Sequence, residues 1–119
     1  MASIQRVAPI FAVRDLSVAM DYYQRLGCAV RAYGGSGYGF ASRDSIEIHL
    51  GVVPEDDHRI NSAYLFVDDA DRLADAWRAA GVEVHYPEDT EWGQHEGAVV
   101  DPDGNVMRFG SPMHAAAVI

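Results

Sequence analysis

Apolar residues recur at spacings of three and four in two stretches of the chain, Arg14 to Val30 and Asp68 to Val84. Leu16, Ala19, Met20, Tyr23 and Leu26 share one face of the first, and Leu73, Ala76, Trp77 and Ala80 one face of the second, which predicts two amphipathic helices lying on a sheet. Each stretch opens with an Asp-containing turn able to cap a helix and ends in a Gly suited to the left-handed residue that follows one. The two align without a gap at an offset of 54, Asp15 falling on Asp69, Tyr23 on Trp77 and Gly27 on Gly81. An apolar strand precedes each helix, Val7 to Val13 and Ala63 to Val67. Three more strands follow each: Ala29 to Tyr33, Tyr38 to Ser42 and Ser45 to Val52 after the first, then Val82 to Tyr86, Gly97 to Val100 and Asn105 to Gly110 after the second. The turn signals GGSG, SRDS and DPDGN punctuate them. The predicted order is therefore β-α-β-β-β, twice. The acidic stretch Pro54 to Asn61 reads as a solvated connector, and the tail from Pro112 to Ile119 carries no clear signal.

Composition narrows the function classes. The chain has 119 residues, 49% of them hydrophobic and 23% charged, enough apolar side chain for one compact domain. The formal charge is -9, and all nine basic residues are scattered Arg. A nucleic-acid partner, which needs a basic stripe, is not expected, whereas a cationic or neutral ligand suits the sign. Cys28 stands alone, so neither an internal disulfide nor a CxxC motif is available. No apolar run has the length of a membrane span and the N-terminus has no leader pattern, so the expected location is the cytoplasm, with no membrane partner.

A duplicated βαβββ unit of about 55 residues, with VRDL after the first strand, LG after the first helix and DPDGN before the last strand, resembles the vicinal oxygen chelate superfamily. Glyoxalase I, extradiol dioxygenases, fosfomycin-resistance thiol transferases and bleomycin-resistance proteins belong to it. The resemblance implies an α+β fold in which two modules, about 4–53 and about 61–111 of a single domain spanning 1–119, form an eight-stranded cup. Strand alternation then assigns faces. Phe11, Val13, Ile46, Ile48, Leu50, Ala63, Leu65, Val67, Met107 and Phe109 are expected on the helix-packed side. Ala8, Ile10, Ala12, Glu47, His49, Ser62, Tyr64, Phe66, Val106, Arg108 and Gly110 are expected to face the cup.

The superfamily's enzymes place metal ligands on cup-facing positions. The resemblance puts these at Ala8, at Ser62 or Ala63, and at Arg108. None is a ligand, and an Arg repels a cation, so no metal and no other cofactor is expected. An alternative reading is a lyase, isomerase or dioxygenase using an atypical metal site around Glu47, His49 and His95, with Glu96 as a further donor. The plainer reading pairs Glu47 and His49 with Arg108 inside the cup. His58, His85 and His114 read as surface residues, and no Ser or Cys sits in an activating motif.

Loss of the ligands together with rings on cup-facing positions resembles the bleomycin-resistance branch, whose members sequester a drug without altering it. AYLFVDD (Ala63 to Asp69) resembles that branch's fifth strand, and EWGQHEGAVVDPDGNVMRF (Glu91 to Phe109) its Trp-Gly turn and hairpin. The resemblance implies ring platforms at Tyr38, Tyr64, Phe66 and Trp92 for a planar, cationic antibiotic or similar small molecule. It also implies a homodimer in which Tyr38, Glu47 and His49 of one subunit share a groove with Ser62, Tyr64, Phe66, Trp92 and Arg108 of the other. Two departures stand out: His49 replaces an apolar residue, and Arg108 brings a positive charge into the groove.

Overall fold

The structure is a computed structural model that describes residues 1–113. The expected order is present: β1 (Ile10–Val13), α1 (Leu16–Arg25), β2 (Ala29–Ala32), β3 (Tyr38–Arg43) and β4 (Ile46–Val52), then a single 3-10 turn (Glu55–Asp57), then β5 (Ser62–Phe66), α2 (Ala70–Ala79), β6 (His85–Asp89), β7 (Gln94–Val100) and β8 (Val106–Pro112). The strands form two four-stranded mixed sheets of identical connectivity, β1-β4-β3-β2 and β5-β8-β7-β6. In each, the first strand runs parallel to the fourth and the other pairs are antiparallel.

The repeat extends to hydrogen bonds. Asp15 accepts from the Val18 amide and Asp69 from the Arg72 amide, both at 3.1 Å, so each helix starts at a carboxylate cap. Each ends on a left-handed glycine, Gly27 at φ 91° and Gly81 at φ 87°. The Cys28 and Val82 amides then return to the carbonyls of Tyr23 and Trp77, both at 3.0 Å, which closes two equivalent Schellman caps. One cluster of buried residues takes side chains from both modules, among them Phe11, Tyr23, Leu26, Ile48, Trp77 and Phe109. Cys28 is buried in it, and burial raises its thiol pKa.

Several expectations need correction. β1 begins at Ile10, and Val7 is exposed ahead of Pro9, which has no amide to give a ladder. The buried stripe of α2 is Ala70, Ala74 and Trp77, with Leu73 half-buried beside it; Ala76 and Ala80 are exposed, because the sheet-facing arc lies one helical step earlier. β6 starts at His85 because the Val82 amide is committed to the helix cap, and its register shifts between His85 and Glu88, across Pro87. β7 starts earlier than expected, at Gln94, whose carbonyl accepts from the Thr90 amide at 2.9 Å and closes the preceding turn. Ile46 is 40% exposed at the end of its strand. Gly110 is buried rather than open to the cup. His58 is half-buried and bonds the Asp103 carbonyl, and His114 lies outside the described residues.

The DPDGN turn joins the modules. Asp101 accepts from the amides of Asp103 and Asn105 with one oxygen, and from Tyr23 Oη (2.7 Å) and Asn105 Nδ2 with the other. Asn105 Nδ2 also reaches the Ala12 carbonyl, and its Oδ1 accepts from the Asn61 amide. Asn61 Oδ1 in turn accepts from the Ala12 amide. This buried set has its donors and acceptors matched, the condition under which buried polar groups are tolerated.

Candidate functional site

The strand registers fix what each sheet presents opposite its helix. On the first sheet, Ile10, His49, Phe40 and Arg31 stand in one row across the four strands. Ala12, Gly51 and Tyr38 form the next row on one side, and Glu47, Ser42 and Ala29 the next on the other. Gly51 is suited to this, since Tyr38 and Ile10 lie over it and a Cβ there would sit 3.4 Å from the Tyr38 ring.

Within this face the polar groups are chained. Tyr38 Oη meets His49 Nδ1 at 2.8 Å, and His49 Nε2 meets Glu47 Oε1 at 2.9 Å. A neutral imidazole protonated on Nε2 satisfies both, with the phenol donating to one ring nitrogen and the other nitrogen donating to the carboxylate. The hydrogen bond from His49, reinforced by Arg6 at 3.5 Å, holds the Glu47 carboxyl below its ordinary pKa. Phe40 is the hub of the rings: His49 lies 4.8 Å from it, Tyr38 5.7 Å and Tyr33 6.2 Å, all edge-on, and Arg31 sits 4.0 Å over its face.

On the second sheet, Tyr64, Arg108, Ala98 and His85 form one row and Phe66, Gly110, Glu96 and Glu88 the next. Tyr64 and Phe66 are 4.9 Å apart, with Phe66 83% exposed. Arg108 pairs with Glu96 at 3.3 Å, and Trp92, itself 66% exposed, donates from Nε1 to the other Glu96 oxygen at 3.2 Å. Ser62 is exposed at the start of β5, opposite Val106. Tyr64 Oη is buried over Gly110, where a Cβ would collide with it. Desolvation, with Glu96 nearby, raises its pKa, yet Glu96 does not accept a hydrogen bond from it.

The structure thus brings Tyr38, Glu47 and His49 together on one sheet, and Ser62, Tyr64, Phe66, Trp92 and Arg108 on the other. Among the described residues no hydrogen bond, ion pair or ring contact joins the two sets. The expected pairing of Glu47 and His49 with Arg108 does not form within one chain: Glu47 is taken by Arg6 and His49, and Arg108 by Glu96. His95 is likewise displaced from Glu47 and His49. It alternates with Glu96 on β7, faces α2, and is held by Asp71 at 2.9 Å and Asp89 at 2.8 Å. Among the described residues no three His, Cys, Asp or Glu side chains converge as metal ligands. Sequence reasoning missed Phe40, Arg31 and Tyr33 on the first face and, having weighed Glu96 only as a metal donor, missed its pairing with Arg108 and Trp92 on the second. Continuing the alternation from Tyr38 to Phe40, and from Ala29 through Arg31 to Tyr33, would have found the first three.

Two clefts adjoin these faces. One, of about 610 Å³, lies between the β3–β4 hairpin and the β5–α2 segment and reaches Tyr64 and Phe66. The other, of about 410 Å³, lies over Arg108, Glu96 and Ala98. Tyr38 and His49 line neither.

Comparison with known proteins gives a consistent picture of the fold. A bleomycin-binding protein in complex with bleomycin superposes with a TM-score of 0.79 at 23% identity, covering 92% of this chain and 100% of that one. A bleomycin resistance determinant encoded on the transposon Tn5 gives 0.81 at 23% identity, covering 93% and 100%. A glyoxalase-related enzyme from Clostridium phytofermentans gives 0.81 at 16% identity, covering 94% and 98%. The shared architecture is the duplicated, cup-like α+β fold. A search of curated protein sequences found no match. Residues 3–109 match a single family model, and with the duplicated modules this establishes that the chain belongs to the Glyoxalase/Bleomycin resistance protein/Dioxygenase superfamily.

Proposed function

We propose that the protein is a cytoplasmic, metal-free binding protein that sequesters a planar, cationic antibiotic or similar small molecule and releases it unchanged, as a homodimer. The observation that carries this reading is the pair of ring-lined faces, half-buried Tyr38 with half-buried Phe40 and half-buried Tyr64 with exposed Phe66. Two chains related by a two-fold axis would set the first module of one against the second module of the other, giving two equal grooves. Each groove would then hold Tyr38, Glu47 and His49 from one subunit with Ser62, Tyr64, Phe66, Trp92 and Arg108 from its partner. Ring-lined surfaces of this kind favour planar ligands, each ring contact adding about 1 kcal/mol beyond area burial. The charge of -9 assists the approach of a cation. Support also comes from the shared fold of the bleomycin-binding relative, whose ligand is that protein's own.

The test is calorimetric titration of wild type and Trp92→Ala with a bleomycin-class drug, followed by mass analysis of the recovered ligand and elemental analysis of the protein. Trp92→Ala is expected to weaken binding by roughly 1 to 3 kcal/mol, about 5- to 150-fold, while leaving the fold intact. Unchanged affinity would remove Trp92 from the site. A chemically modified ligand, or one divalent metal ion per chain lost on mutation of His49, would turn the reading toward the enzymes of the superfamily.

A further inference from the structure

The first sheet's face presents a cation that no carboxylate of the described residues engages. The ion pairs of the described residues take up Arg6, Arg14, Arg25, Arg43 and Arg108; Arg31, Arg59, Arg72 and Arg78 are in none of them, and of these four only Arg31 stands on a strand of the first sheet. Its Cζ instead sits 4.0 Å from the centroid of Phe40, at the end of the row that runs through His49 to Ile10. Arg31 is exposed on an edge strand. A guanidinium resting on a ring is held by the ring's quadrupole and keeps its N–H donors in one rigid plane. A planar fork of this kind binds a carboxylate through two parallel hydrogen bonds, which an ammonium cannot do.

We infer that Arg31, seated on Phe40, is the acid-recognising element of the binding face, so that the ligand is a planar zwitterion. Its rings pack on this face beside the Phe40–Tyr38 pair, its carboxylate meets Arg31, and its basic group points toward Glu47. The inference rests on the small-molecule reading above. Arg31 and Glu47 are two strands and one same-face step apart, which sets the ligand's two charges at about 12 Å by sheet geometry. The overall charge of -9 opposes an anion, so any preference for an acid must arise locally.

The experiment is calorimetric titration of the full chain with 2-naphthoate and 2-naphthamide, which share a ring system and differ in charge, for wild type, Arg31→Gln and Arg31→Lys. Wild type is expected to bind naphthoate roughly 10-fold more tightly than the amide. Arg31→Gln should bring the two within about 2-fold, and Arg31→Lys should keep only part of the preference, the readout being the naphthoate-to-naphthamide ratio within each variant, with melting temperature unchanged throughout. Equal affinities in wild type, a preference that survives in Arg31→Gln, or no binding of naphthoate overturns the inference. The bleomycin-class titration run alongside separates the two readings. Trp92-dependent drug binding without an acid preference removes the role of Arg31 alone, whereas absence of both removes the binding reading with it.

Discussion

At the scale of single residues, the best-determined chemistry is the buried pairing of Tyr23 with Asp101. The phenol is fully buried, and desolvation first, then the Asp101 charge, keep it un-ionised at any ordinary pH. Asp101 spends all its acceptor capacity on four donors, so a lost donor leaves buried negative charge underpaired. Tyr23→Phe is therefore expected to destabilise the protein by roughly 1 to 3 kcal/mol, seen as a lower urea midpoint at unchanged m-value. An unchanged midpoint would mean that Asn105 and the turn amides suffice for Asp101. The DPDGN sequence was readable as a tight turn, and Gly104 with φ 89° meets the backbone demand of one. That its side chains clasp Ala12, Asn61 and Tyr23 was not readable, because those partners lie 93, 44 and 78 residues away along the chain.

At the scale of elements, the helices follow local rules and the edge strand β6 does not. Caps and glycines bound α1 and α2 at matching positions because the residues that satisfy a helix end lie within a few positions of it. β6 is tied down by side chains instead: His95 on β7 bridges Asp89, at the end of β6, and Asp71, in the first turn of α2. Hydrogen bonding to Asp71, and then to Asp89, raises the His95 pKa above its ordinary 6.5. A raised folded-state pKa contributes stability that is fully present below the unfolded value and is lost as pH rises through the folded one. His95→Gln is accordingly expected to melt below wild type at pH 5.5, with the difference closing by pH 9. A difference that stays constant across that range would show that the contacts act without the imidazolium charge. The clamp also explains why His95 does not join Glu47 and His49 in an atypical metal site: it lies on the helix side of β7, held between Asp71 and Asp89.

At the scale of the whole molecule, the radius of gyration of 15.7 Å exceeds the ~13.5 Å of a compact chain of this length. Exposed Ile10 and Phe66 lie on the two open faces, and Trp92 on the turn beside one of them. β1 and β5 are each paired on one side only, apart from the side-chain bonds that Asn61 and Asn105 make to Ala12. Unpaired edges and open apolar faces invite a second copy. Sedimentation at micromolar concentration is expected to give a particle of twice the 13.0 kDa chain mass. A species of single-chain mass alone would count decisively against shared grooves and would leave each ring face to bind unaided.

By itself the sequence determined the duplicated order of elements, the helix limits and the faces of most strands. These follow from periods of 3.6 and 2 and from caps that act over a few residues, as Asp15, Asp69, Gly27 and Gly81 illustrate. It also set Glu47 beside His49 and Tyr64 beside Phe66, since alternation puts residues two apart on one face. Only the tertiary structure decided who partners whom across strands: Tyr38 with His49, Arg31 with Phe40, Arg108 with Glu96, and His95 with Asp71. Those choices depend on the register and packing of segments 9 to 24 residues apart, which no local pattern specifies. The separation of the two ring faces is a tertiary fact for the same reason, because it reflects how two complete modules share one core through the DPDGN clasp.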